Sequence, residues 1–172
     1  MIRQMLDLVK LEAREMQHSP EPVWLNALFD ESLPSLAERA VQKGLLFRQR
    51  IELDLPPVMG SIEAYAMTLR ILLDNAIKFT PSGSVQIAAW QKDDTVIVEI
   101  TDDGIGIPPE AMNNLFKRFY RAQSAVERGI AGTGLGLYMV KENLRNYNGR
   151  IAVQSTLGKG TTFTLQLPIA QI

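Results

Sequence analysis

No cysteine occurs among the 172 residues, so there is no disulfide framework and no thiolate metal site. That composition fits a reducing cytosol. No apolar run reaches the roughly 18 residues that span a bilayer, and no signal-peptide pattern is present. The expectation is a soluble, cytoplasmic polypeptide without membrane contact of its own, whether or not its parent protein is anchored. An excess of one charge is also lacking. The formal net charge is −1, which excludes a nucleic-acid face built on bulk positive potential. Histidine occurs once, as His18. With 46% hydrophobic residues, the chain can bury one substantial core.

Hydrophobic spacing then orders the chain. Ile2, Met5, Leu6, Val9, Ala13 and Met16 recur at three- and four-residue intervals, which predicts a helix over 2–17. It is either a surface helix or the tail of a longer bundle helix. His18-Ser19-Pro20-Glu21-Pro22 breaks it. A second helix is expected from Trp24 to Gly44, with Pro34 as a point where it kinks or divides. Ile51-Glu52-Leu53-Asp54-Leu55 alternates like a half-buried strand. Ser61 caps a third helix with Ala64, Met67, Leu69, Leu72, Leu73 and Ala76 inward. Two strands, 85–90 and 96–100, flank the polar turn Lys92-Asp93-Asp94 as a hairpin. A short helix is expected to end in Leu115-Phe116-Lys117-Arg118-Phe119-Tyr120-Arg121, with both phenylalanines in the core. Residues 122–131 carry no periodicity, 135–147 read as a helix, and 151–155 and 161–167 read as closing strands. This order predicts an α+β fold, a two-layer sandwich with helices on one face of a mixed, mostly antiparallel sheet.

The glycine run Gly132-Thr133-Gly134-Leu135-Gly136-Leu137 feeds into a helix start. Such a start presents unpaired N–H groups and a partial positive charge that suit a phosphate. Alone, the run is a weak signal. It is neither a Rossmann fingerprint, because position 137 is leucine, nor a Walker loop, because Lys159 is followed by Gly160. Asp102 stands where a strand meets a glycine turn, and position alone favours an aspartate that bonds its own backbone. Asn75 and Lys78, three apart, share one side of a helix end; each read singly is a surface group. What changes these readings is their joint order. It runs Asn-Ala-x-Lys-Phe, Asp-x-Gly-x-Gly, Phe-x-x-Phe-Tyr-Arg, Gly-x-Gly-x-Gly, and a final Gly-Lys-Gly-Thr-Thr-Phe.

In that order the chain resembles the ATP-binding catalytic domain of sensor histidine kinases. These belong to the GHKL superfamily, with gyrase, the heat-shock chaperone and mismatch-repair ATPases, whose fold is of the Bergerat type. Asp74 to Thr80 resembles the asparagine box, Asp102 to Gly106 the first glycine box, Leu115 to Arg121 the phenylalanine box, and Gly132 to Gly136 the second glycine box. The resemblance implies that Asn75 ligates Mg²⁺ and that Lys78, with Phe79 beside it, holds phosphates. It implies that Asp102 accepts a hydrogen bond from the adenine amino group, with Thr161 assisting through water. Gly104, Gly106, Ile107 and Tyr120 would belong to the ATP-binding set, Arg121 would face the γ-phosphate, and 122–131 would form a nucleotide lid. Amides near Thr133, Gly134, Leu135, Gly136 and Leu137 would take the phosphates. ATP and Mg²⁺ are the implied cofactors. A dimerisation and phosphoacceptor domain and a response regulator are the implied partners.

Two departures matter. Four residues before Asn75 the kinases usually carry a second asparagine and the hydrolysing relatives a general-base glutamate; here stands Ile71. An isoleucine cannot orient water, which disfavours an ATP-hydrolysing machine. It also removes a polar group from the phosphate side, which leaves open an ATP sensor without phosphotransfer. His18, followed by Ser19-Pro20, reads as a linker histidine and not the phosphoacceptor. Leu6 to Glu12 resembles the end of the dimerising hairpin. Residues 1–19 are therefore expected to be hairpin end and linker, and 20–172 the ATP-binding domain.

Overall fold

The computed structural model describes residues 20–127 and 129–171. The expected helix over 2–17, His18 and the 1–19 segment lie outside these residues, as does Arg128 of the expected lid. The elements are β1 (Glu21–Val23), α1 (Leu25–Gln42), β2 (Leu46–Ile51), β3 (Val58–Gly60), α2 (Ile62–Phe79), β4 (Ser84–Lys92) and β5 (Thr95–Asp102). They continue as α3 (Pro109–Met112), α4 (Gln123–Glu127), α5 (Gly136–Asn146), β6 (Arg150–Thr156) and β7 (Gly160–Pro168). A five-stranded sheet runs β2-β4-β5-β7-β6, parallel only between β2 and β4. Helices line one face, so the fold is the expected two-layer α+β sandwich.

Alternation explains the sheet. Val85, Ile87 and Ala89 of β4, Val96, Val98 and Ile100 of β5, and Phe163, Leu165 and Leu167 of β7 point to one side and are buried. Leu28, Phe29, Leu33 and Leu36 of α1 and Leu69, Leu72 and Leu73 of α2 share that core. The Ser61 hydroxyl accepts from the Ala64 N–H at 3.4 Å, starting α2 where expected. Tyr65, Thr68 and Ile77 join its buried face, while Ala64 and Met67 are only half-buried. Pro34 sits inside α1 without dividing it.

Five expectations are corrected. The strand expected over 51–55 lies earlier, at Leu46–Ile51, because parallel pairing with Ser84–Ala89 uses that stretch. Glu52–Leu55 is a turn held by Asn26, whose amide donates to the Glu52 carbonyl at 2.8 Å and accepts from the Leu55 N–H at 3.2 Å. The break at Pro20–Pro22 contains a strand, since β1 pairs with β3 in a small second sheet anchored by buried Val23 and Val58. The helix before the phenylalanine box closes at Met112; Leu115–Arg121 is a series of turns, with Lys117 N–H to the Asn114 carbonyl at 2.9 Å. Phe116 packs on the core, but Phe119 is 60% exposed with φ +62°, so it is not a core aromatic. Residues 122–131 do contain an element, the short α4.

The relocated strand makes a test. Leu72→Ala, at a site with 0% exposure, should cost about 2–5 kcal/mol in urea unfolding. Leu53→Ala, at 87% exposure, should stay within about 0.5 kcal/mol.

Candidate functional site

Helix α2, the ends of β5 and β7, and the start of α5 enclose a cleft of about 1010 Å³. Asn75, Lys78 and Phe79 reach it from the last turns of α2, and Asp102 and Thr161 from paired positions of β5 and β7. Gly106 and Ile107 border it after β5; Tyr120 and Arg121 close the far rim; Thr133, Gly134, Gly136 and Leu137 form the α5 end. Two of the expected residues do not line it. Leu135 is buried in the core, and Gly104 packs under the wall against the Phe79 carbonyl.

Asp102 is 6% exposed, and its carboxylate accepts from the Gly104 N–H at 2.8 Å. The turn-aspartate reading and the cleft reading thus hold together, because one oxygen bonds backbone while the side chain still borders the cavity. Burial pushes this carboxyl up to about 6. The Gly104 and Thr161 backbone donors work against that rise, and Asp103 adds to it. The turn itself is held from several sides. The Ile105 N–H donates to the Phe79 carbonyl at 3.1 Å, the Gly158 N–H to the Ile105 carbonyl at 2.8 Å, and the Ile107 N–H to the Ser155 hydroxyl at 2.8 Å.

The other end of the cleft is cationic. Lys78 Nζ lies 4.5 Å from the Phe79 ring centre and donates to the Ala131 carbonyl at 3.0 Å. The Arg121 guanidinium donates to the neighbouring Ile130 carbonyl. Burial first, and then the Arg121 charge, holds Lys78 below the usual lysine range, while Asp74 pulls the other way. Gly136 lies against the Ile71 side chain, so an apolar group occupies this part of the cleft wall.

The sequence reading missed part of the rim. Arg39 of α1 pairs with Asp74, and Lys43 donates to the Ile77 and Lys78 carbonyls at 2.6 and 3.0 Å, satisfying orphan acceptors at the α2 C-terminus. Both border the cleft, but neither belongs to a local motif; only the packing of α1 on α2 brings them there. Among the described residues no group of three or more His, Cys, Asp or Glu side chains could hold a metal.

A sandwich of this topology, with a buried carboxylate at one end of a cleft and a glycine-rich helix start at the other, is an ATP-binding module of the Bergerat type. Residues 60–171 match the family described as histidine kinase-, DNA gyrase B-, and HSP90-like ATPase, and the chain belongs to that family. Its relatives include the circadian input-output histidine kinase CikA of Synechococcus elongatus, 34% identical over 98% of this chain and 23% of that protein. Another is the phosphate regulon sensor protein PhoR of Pseudomonas aeruginosa, 34% identical over 100% of this chain and 39% of that protein. The chain thus spans well under half the length of these relatives. Among solved structures, full-length ShkA in complex with AMPPNP superposes with a TM-score of 0.83 at 27% identity, over 99% of this chain and 35% of that one. The catalytic domain of histidine kinase ThkA, at 22% identity and a TM-score of 0.76 over 90% of this chain and all of that one, shares the fold.

Asp102 makes nucleotide-free stability depend on pH. Its folded pKa of about 6 lies above the ordinary value of 3.8, so its contribution is full below 3.8 and lost as pH rises through about 6. Urea denaturation should show wild type losing about 2–3 kcal/mol more than Asp102→Asn between pH 4 and pH 7. Parallel pH profiles of the two proteins would contradict this origin.

Proposed function

We propose that this chain is the catalytic domain of a sensor histidine kinase. It binds Mg-ATP and transfers the γ-phosphoryl group to a histidine on a dimerisation domain outside the described residues. The observation that carries the proposal is that Asp102 and the Thr133–Leu137 turn, 31 to 35 positions apart in the chain, open onto the same cleft. Its division of roles follows from charge and hydrogen-bonding capacity.

At the base end, a buried carboxylate facing an exocyclic amine selects adenine. Guanine presents a carbonyl there and would leave the acceptor unpaired. At the phosphate end, Lys78, Arg121 and the first amides of α5 supply positive potential. The Asn75 amide oxygen is a fitting single protein ligand for Mg²⁺, which keeps waters and phosphate oxygens as its other ligands. When bound, the ion neutralises phosphate charge. Asp74, already paired with Arg39, leaves that position to Asn75. In the transfer, the imidazole nitrogen forms a bond to the γ-phosphorus while the bond to the β,γ-bridging oxygen breaks, and ADP departs with that electron pair. Such chemistry asks chiefly for alignment and charge stabilisation, which this cation set provides.

Ile71 gives no hydrogen bond to a water, and so favours an acceptor histidine over hydrolysis. The kinase identity of the relatives supports transfer over a sensor that merely holds ATP. The 1–19 segment is assigned as hairpin end and linker, and a response regulator as the downstream acceptor.

Incubation with γ-labelled ATP, Mg²⁺ and the parent's dimerisation hairpin should place acid-labile label on the hairpin, with little phosphate released by the chain alone. ATP binding without label on the hairpin would contradict the kinase reading. Asp102→Asn should weaken ATP binding by about tenfold or more, roughly the value of one hydrogen bond to a charged group. Isothermal titration with unchanged affinity would count against the adenine role.

A further inference from the structure

Thr161 lines the base end of the cleft, and Ser155 stands directly behind it on β6. The hydrogen bonds around Ser155 can be assigned individually. Its hydroxyl accepts from the Ile107 N–H at 2.8 Å. It also lies 2.8 Å from the Gly160 carbonyl, which can only accept, so the single Ser155 proton goes there. The third contact, 3.0 Å to Thr161 Oγ1, must then use the Thr161 proton. Thr161, 7% exposed, is left with lone pairs only towards the cavity.

We infer that Ser155 is a positioning residue for base selection: by taking the Thr161 proton it turns that hydroxyl into an acceptor. Thr161 and the Asp102 carboxylate, on directly paired positions, then present acceptors alone to the incoming base edge. At position 6, adenine sets an amino donor against these acceptors, whereas a 6-oxopurine sets an acceptor there. Discrimination therefore has a second origin beside Asp102, in a residue that does not itself line the cleft. This inference rests on the nucleotide reading above.

Losing the Ser155 hydroxyl has two separable effects. The Ile107 amide and the Gly160 carbonyl lose a partner, which weakens every nucleotide alike. The Thr161 hydroxyl is also freed to rotate and donate to a 6-oxo group, which helps inosine nucleotides alone. The ratio of affinities isolates the second effect.

Isothermal titration with ADP and IDP should show a wild-type preference for ADP, and Ser155→Ala should shrink the IDP-to-ADP Kd ratio about tenfold. Ser155→Thr, which keeps the hydroxyl, should restore it. ADP binding retained with an unchanged ratio, or equal weakening of both nucleotides, would overturn the inference. A wild-type chain that binds neither nucleotide would instead sink the nucleotide reading itself. Should Ser155→Ala not fold, hydroxyl-proton exchange in the wild type decides: a slowly exchanging Thr161 proton supports the assignment, and exchange at the rate of a free hydroxyl overturns it.

Discussion

Two turns from distant parts of the chain touch backbone to backbone, and the Asp102 end of the cleft depends on that contact. Gly160 opens β7 with φ +114°, so close to the Asp102 carbonyl oxygen that a Cβ would overlap it. Gly106, at φ +68°, meets the Thr156 carbonyl in the same way. A positive φ with no room for a Cβ leaves only glycine at both positions. The two turns can then interlock through the Gly158–Ile105 and Ile107–Ser155 hydrogen bonds. Asp102 and Thr161 stand side by side there, on paired positions of β5 and β7, and burial raises the proton affinity of the carboxylate.

The opposite end works by convergence of like charges. The Lys78 ammonium and the Arg121 guanidinium both border Gly132, and each donates to a backbone carbonyl just before it, Ala131 or Ile130. Burial first, and then the Arg121 charge, lowers the proton affinity of Lys78 despite these carbonyls. An anion entering here would offset the cost of burying these charges and their mutual repulsion. The cleft is thus electrostatically asymmetric along its length, with acceptors at one end and cations at the other. That is the polarity of a purine nucleotide read from base to phosphate.

Most of the sandwich was legible because strands β4 to β7 and helices α1, α2 and α5 carry clean two- or 3.6-residue periods. β2 was not, since an edge strand with Arg48, Gln49 and Arg50 exposed shows no inward alternation, whereas Ile51 to Leu55 alternates by coincidence in a turn. The three-residue strands β1 and β3 are too short to carry a period. Phe119 was misread because hydrophobicity says nothing about φ, and its left-handed turn sends the ring outward. In the site, the residues of the glycine and asparagine motifs were legible because their chemistry is local. Arg39, Lys43 and Ser155 were not, since each acts through tertiary contacts with residues 35, 34 and 6 positions away.

If the Asp102 carboxylate and the glycine amides share one nucleotide cleft, a single bound nucleotide must reach both. Amide resonances followed by heteronuclear NMR during an ADP titration test it most directly. The amides of Gly104 and Gly106 and those of Gly134 to Leu137 should shift together, with one saturation curve, while the outer-face residues of β6 stay unmoved. Shifts confined to only one of the two groups, or saturation at two different concentrations, would contradict it.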